Sequence, residues 1–177
     1  MKARTLVVFA FVAGLSAAGG ALYHLWLRDG GAGMDPAEVV ERILAAPHAD
    51  VKGETRRVGD WRGRVLVINY WATWCAPCRE EIPVFVRMQE RYGSRGLQFI
   101  GIAIDQPDKV AEFGREFRIN YPLLLGGVET IELVRQVGNR AGVLPYTLVI
   151  DRKGKLVSRE RGGLKESRLE SLVLPLL

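Results

Sequence analysis

The stretch "VLVINYW", residues 65 to 71, contains no charged residue and is rich in β-branched side chains. A run of this length and type is a strand in the middle of a sheet, buried on both faces. Both cysteines of the chain follow in "ATWCAPCREEIP", two residues apart. From Ala76 to about Arg91 the apolar residues Ile82, Phe85, Val86 and Met88 recur at three- and four-residue steps, with charges between them. That spacing predicts an amphipathic helix with Cys75 at its start.

The alternation continues along the chain. "LQFIGIAI" (97–104) predicts a second buried strand, and "DKVAEFGREF" (108–117) a helix packing Val110, Phe113 and Phe117. "YPLLL" predicts a short strand and "VETIELVRQV" another helix. "YTLVI" with "KLVSRER" predicts a hairpin turning on Asp151 to Gly154, and a last helix runs from Lys165. Upstream, "DPAEVVERILAA" has Val39, Val40, Ile43 and Leu44 at helical spacing behind a proline suited to a helix start, and "HADVKGETRRV" offers an edge hairpin around Lys52 and Gly53. Strands alternating with helices predict an α/β fold: a parallel or mixed sheet with helices on both faces. Active sites of such sheets form beyond the carboxyl ends of the strands, where "WCAPC" lies.

From Thr5 to Leu27 the sequence has no charge over about 23 residues, enough for a helix to cross a bilayer core. Lys2 and Arg4 precede it, so the positive-inside rule leaves residues 1–4 in the cytoplasm and exports everything after Leu27. The expected organisation is a transmembrane signal anchor at 5–27, a glycine-rich linker at 28–37 and an extracytoplasmic domain at 38–177, held on the inner (cytoplasmic) membrane by a single pass. The rival reading is a signal peptide cleaved near Ser16-Ala17-Ala18. Cleavage would leave "ALYHLWL" as an apolar start on the mature chain, which an uncleaved anchor instead uses. Both readings put the cysteines where disulfides persist. Charge points to no nucleic acid. Three of the 25 basic and one of the 20 acidic residues lie before residue 35, and the remaining 22 against 19 are interspersed.

Residue counts decide most of what the cysteine pair can be. A structural zinc site needs about four Cys or His ligands, and beyond Cys75 and Cys78 the exported part supplies only His48. Haem attachment needs a histidine directly after the second cysteine, and position 79 is Arg79. A two-thiolate copper site is chemically possible, although no methionine or histidine is near the pair in sequence. A purely structural disulfide closing so short a loop would stabilise little. The reading that remains favoured is a dithiol that cycles. At the helix start Cys75 gains from free N–H groups and the dipole, which lower a thiol pKa and make it the attacking sulfur. Cys78, one turn further in, is placed to break the mixed disulfide. Pro77 fits the first turn, and Pro83 removes a helical hydrogen bond. Glu80 is expected to serve only as an ordinary first-turn carboxylate. Glu81 shares the face of Cys78, where a partly buried carboxylate can raise thiol pKa values and shuttle a proton.

"VLVINYWATWCAPCREEIP" resembles the active-site segment of the thioredoxin-like fold, and more narrowly the membrane-anchored TlpA/ResA/CcmG group of extracytoplasmic thiol-disulfide oxidoreductases. Trp71, Trp74, Cys75 and Cys78 match its W-x-x-W-C-x-x-C, Pro83 its kinking proline and Glu81 its tuning glutamate. Asn69 stands where cytoplasmic thioredoxins carry a buried aspartate. "AGVLPYTLVID" resembles the segment whose cis-proline opens the strand facing the cysteines, which makes Pro145 that residue and Leu144 the backbone edge for a client. Residues 97–125 resemble the group's strand-helix insertion. The resemblance implies a central mixed sheet flanked by helices on both faces, and client contacts at Trp74, Ala76, Pro77, Leu144 and Pro145. It implies catalysis by Cys75, Cys78 and Glu81 without metal or organic cofactor.

Four functions remain to be weighed. The resemblance favours a reductase of disulfides in exported client proteins, such as apocytochrome c or copper-site assembly factors, itself re-reduced by a transmembrane thiol-reductant conduit. A disulfide-forming oxidase or isomerase and a thiolate copper chaperone are the alternatives. A peroxidase with the P-x-x-x-T-x-x-C signature of peroxiredoxins would need proline at 68 and threonine at 72, where this chain has Ile68 and Ala72.

Overall fold

A computed structural model describes residues 35–177, together with Gly19, Gly20, Tyr23 and His24. The expected anchor at 5–27, the segment 1–4 before it and residues 28–34 of the linker otherwise lie outside the described residues. Among the described residues no helix is long and apolar enough to cross a membrane.

Residues 36–177 make one compact unit. Its elements are α1 (Pro36–Ala45), β1 (Pro47–Ala49), β2 (Thr55–Arg57), β3 (Val65–Trp71), α2 (Ala76–Tyr92), β4 (Leu97–Ala103), α3 (Pro107–Glu116), β5 (Leu123–Leu125), α4 (Val128–Gln136), β6 (Tyr146–Ile150), β7 (Leu156–Arg161) and α5 (Glu166–Val173). β3 to β7 form a mixed sheet in the order β5-β4-β3-β6-β7. β3 runs parallel to β4 and antiparallel to β6. All seven residues of β3, all seven of β4 and all five of β6 are buried, as their near-continuous apolar runs require.

The two faces of β3 are covered by different helices. Val65, Val67 and Trp71 point into a cluster with Cys78, Ile82, Phe85 and Met88 of α2, Val110 and Phe113 of α3, and Leu169 and Val173 of α5. Its aromatic centre stacks Phe85 on Phe99, ring centroids 5.0 Å apart, and sets Trp71 against Phe113 at 5.1 Å. The alternate residues Leu66, Ile68 and Tyr70 face the other side, where α1 packs on α4. α2 runs unbroken through Pro83.

Both hairpins use one local device. In "DVKGE" and "DRKGK" the aspartate side chain accepts the N–H groups two and four residues on, at 2.8 and 3.0 Å for Asp50 and 2.9 Å twice for Asp151. Gly53 and Gly154 each take φ +84°, a conformation that a side chain disfavours. The first hairpin is a two-stranded sheet of its own. It reaches the main sheet through a bridge from Asp50 to Leu124 and a hydrogen bond from His48 Nδ1–H to the Leu125 carbonyl, 3.1 Å. Within residues 97–125, β4 is an inner strand paired with β3 along its whole length, so only α3 and β5 occupy the sheet's periphery.

Phe85 is fully buried in the shared cluster. Phe85→Ala is expected to lower the unfolding free energy by about 3–5 kcal/mol, read as a lower urea midpoint. Val157→Ala, on the exposed face of β7, is expected to stay within about 0.5 kcal/mol of the parent.

Candidate active site

β3 ends at Trp71, and the chain turns through Ala72–Cys75, closed by the Cys75 N–H on the Ala72 carbonyl at 3.2 Å. Cys75 is the N-cap of α2, in extended backbone, and its carbonyl accepts the Arg79 N–H at 3.2 Å. Ala76 and Pro77 follow as the first two helical residues and are exposed. Cys75 and Cys78 are joined by a disulfide with an S–S distance of 2.03 Å. Cys78 is fully buried, whereas Cys75 keeps 6% of its surface. Trp74 stands out of the turn, 71% exposed.

Because the helix starts at Ala76, Glu80 is its fifth residue. It lies exposed beyond the first turn and is not the first-turn partner of the dipole that was expected. Glu81, on the inner face, is only 2% exposed. Its Oε1 accepts the Asn69 side-chain N–H at 2.8 Å and its Oε2 the Leu164 backbone N–H at 2.9 Å. Burial pushes its carboxyl up to about 7, and the Leu164 and Asn69 donors, which favour the charged form, offset part of that rise. The Leu164 N–H is brought there by α5, whose Glu166 and Glu170 pair with Arg87, Arg91 and Tyr92 of α2. A groove of about 350 Å³, lined by Pro77, Glu80, Glu81, Val84, Gly163 and Leu164 among others, leads to the carboxylate.

Asn69 is the centre of a buried polar chain. Its Nδ2 also donates to Thr147 Oγ1 at 3.0 Å, its register partner on β6. Its partner on β4 is Gly101, where a Cβ would come within 3.0 Å of the Trp71 indole nitrogen and 2.9 Å of Leu123. A glycine there leaves the Trp71 and Leu123 side chains the space they occupy. Sequence reading took Asn69 only as a departure from aspartate and missed Thr147. The alternation of β3 puts Asn69 on the α2 face, which was the available signal.

The Leu144–Pro145 peptide bond is cis. Pro145 is buried and its carbonyl accepts the Gly162 N–H at 2.9 Å. Leu144 and Trp74 line one cavity of about 160 Å³ with Tyr70, Ile104, Ile131 and Val134. The structure therefore brings together Trp74, Cys75, Cys78 and Leu144 at the carboxyl end of β3, with Ala76 and Pro77 on the same helix start. His48 lies elsewhere, its Nδ1 engaged by Leu125 and its pKa lowered by burial. Among the described residues no group of three or more His, Cys, Asp or Glu is placed to hold a metal ion.

The raised Glu81 pKa has a thermodynamic sign. A carboxyl that binds its proton more tightly when folded stabilises the fold below its unfolded pKa, and that contribution is lost as pH rises from about 4.5 through about 7. The stability of the parent relative to Glu81→Gln is expected to fall across that window, by on the order of 3 kcal/mol, in urea titrations at stepped pH. Asn69→Ala removes a donor to the charged form. It is expected to move the Glu81 titration upward and to cost about 1–3 kcal/mol at pH 8, with a smaller loss at pH 5 in the same titrations.

Comparison with known proteins agrees with this geometry. A family model described as AhpC/TSA family matches residues 41–159. The thiol-disulfide oxidoreductase ResA of Geobacillus kaustophilus (strain HTA426) is 27% identical over 122 residues, 68% of this chain and 68% of that one. The protein of the same name from Geobacillus thermodenitrificans (strain NG80-2) is 32% identical over 111 residues, 61% of this chain and 60% of that one. The crystal structure of a thiol:disulfide interchange protein of the thioredoxin family from Chlorobium tepidum TLS superposes with a TM-score of 0.67 at 28% identity, covering 74% of this chain and 92% of that one. The fold is thioredoxin-like, and the chain belongs to the AhpC/TSA family as an enzyme of the thiol-disulfide oxidoreductase kind, with Cys75 and Cys78 as its redox pair.

Proposed function

We propose that this enzyme is a reductase of disulfides in exported client proteins, tethered to the inner membrane by residues 5–27 with its domain on the extracytoplasmic side. The observation that carries the reading is the Cys75–Cys78 pair at the start of α2, backed by a buried Glu81 and flanked by Trp74 and Leu144 around one apolar cavity. Leu144 precedes the part of β6 that pairs with β3, so its backbone can serve as a strand edge for an extended client. Trp74, Ala76, Pro77 and Pro145 complete that contact surface.

In the proposed reaction the Cys75 thiolate attacks one sulfur of the client disulfide. A mixed disulfide forms, and the other client sulfur leaves as a thiolate and is protonated. Cys78 then gives its proton to Glu81 and attacks Cys75 Sγ. The second client cysteine departs as a thiolate, and the Cys75–Cys78 disulfide remains. The client gains two electrons and takes up two protons from water, one on each departing thiolate, and the enzyme pair loses two electrons and passes the Cys78 proton through Glu81 to water. A transmembrane thiol-reductant conduit returns it to the dithiol.

The direction of electron flow has a physical support in Glu81. A strong oxidant such as DsbA owes its potential, about −120 mV, to a stabilised reduced thiolate, against about −270 mV for thioredoxin. A carboxylate on the Cys78 face of the helix withdraws that stabilisation by repelling thiolate charge. The uncharged run at 5–27 behind Lys2 and Arg4 is what supports an exported setting.

Expressed as the full chain, Cys78→Ser is expected to accumulate a reducible covalent adduct on Cys75, whereas Cys75→Ser accumulates none; mass spectrometry of the trapped species reads this. The pair's potential is expected near thioredoxin's value, and a potential near DsbA's would mark an oxidase instead.

A further inference from the structure

Asp105 lies just past the carboxyl end of β4, and its carboxylate is tied to the turn that carries the redox pair. Oδ2 accepts two hydrogen bonds from Thr73, one from the backbone N–H at 3.0 Å and one from the hydroxyl at 2.5 Å. Oδ1 accepts the N–H of Gln106 at 2.8 Å, and Gln106 is the N-cap of α3. One side chain thus joins the β3–α2 turn to the β4–α3 junction. Thr73 is the second residue of the turn Ala72–Cys75 and Trp74 the third. Partial burial pushes the Asp105 carboxyl up, but the Thr73 and Gln106 donors outweigh it and hold the pKa below the usual range. The carboxylate is therefore charged wherever thiol exchange runs, and its hydrogen bonds are of the stronger, charge-assisted kind.

Attack on a disulfide needs the three sulfurs nearly in line, so a small displacement of the attacking sulfur is expensive. The turn is also the support of Trp74, whose exposed ring borders the cavity shared with Leu144. We propose that Asp105 is a positioning residue for disulfide exchange, clamping Thr73 so that the turn holds the Cys75 sulfur and the Trp74 ring in register with a client. The inference rests on the reading of Cys75 as the attacking thiol.

The test uses the reduced full-length chain with two oxidants, insulin as a protein disulfide and 5,5′-dithiobis(2-nitrobenzoate) as a small one. Thr73→Val keeps shape and backbone N–H and removes the hydroxyl, and Asp105→Asn cannot accept all three donors. Each is expected to slow the second-order reaction with insulin about tenfold. The double variant is expected to slow it no more than either alone, because both remove one clamp. Thr73→Ser restores the hydroxyl and is expected to restore the rate. The pH midpoint for alkylation of Cys75 by iodoacetamide is expected to stay in place in both single variants. Parent rates in Thr73→Val and Asp105→Asn, or losses that multiply in the double variant, overturn the clamp. A midpoint that shifts only in Asp105→Asn overturns it as well, because the aspartate then acts by its charge on the thiolate. If Asp105→Asn does not fold, the Thr73→Val and Thr73→Ser pair still decides. A parent chain that reacts with neither oxidant overturns the exchange reading itself, an outcome separate from a reactive parent with unaffected variants.

Discussion

β3 is bonded along both edges, in parallel to β4 over seven register pairs and antiparallel to β6 over five. Its backbone polar groups are thus met without water, and both faces can be apolar. This pairing also decides what meets at the end of the strand. A parallel neighbour finishes at the same end, so Asp105, two residues past β4, arrives beside Thr73. An antiparallel neighbour begins there, so Pro145, just before β6, arrives at the same end. The turn with the cysteines, its aspartate clamp and the cis-proline segment are separated by up to about seventy residues in sequence, and the sheet brings them together.

The buried carboxylate is the counterpart of that arrangement. Taking an ionised Glu81 out of water is costly, and the two N–H groups that meet it recover only part of the cost. Each donor comes from a different element, Asn69 from β3 and Leu164 from the loop before α5. The electrostatics of the site therefore depend on packing some distance from the cysteines, including the ion pairs that fasten α5 to α2. A group left near neutrality in this way can exchange a proton with a thiol in either direction, which a carboxylate of ordinary pKa does poorly.

Much of this was legible in the sequence because it rests on short-range patterns. The uncharged run of β3, the helical spacing behind Ala76 and the Asp-x-Lys-Gly turns each declare a local structure. The position of Cys75 at a helix start follows from the strand and helix together. The cis bond at Pro145 was legible only through family resemblance, since nothing local distinguishes that proline. The roles of Asn69, Thr147 and Asp105 were not read. Each depends on a register between strands far apart in sequence, and one polar residue inside an apolar run looks the same whether it is paired or merely tolerated. Glu80 was misplaced by less than a turn, because the reading did not settle that Cys75 itself is the cap. The anchor rests on composition alone and lies outside the described residues.

Burial orders the proposed reaction. Cys75 has the little surface through which a client sulfur can approach, and Cys78 has none. Cys78 can therefore act only after Cys75 has been engaged, and only from inside. A thiol with no contact to water must give its proton to an internal base, and Glu81 one turn away on the same face is placed to take it. The groove past Pro77 and Leu164 gives that carboxyl an outlet to solvent that shares no lining residue with the Trp74 cavity. Electrons and protons then leave the dithiol by different routes: the electrons to a client seated against Trp74 and Leu144, the proton through Glu81 to water.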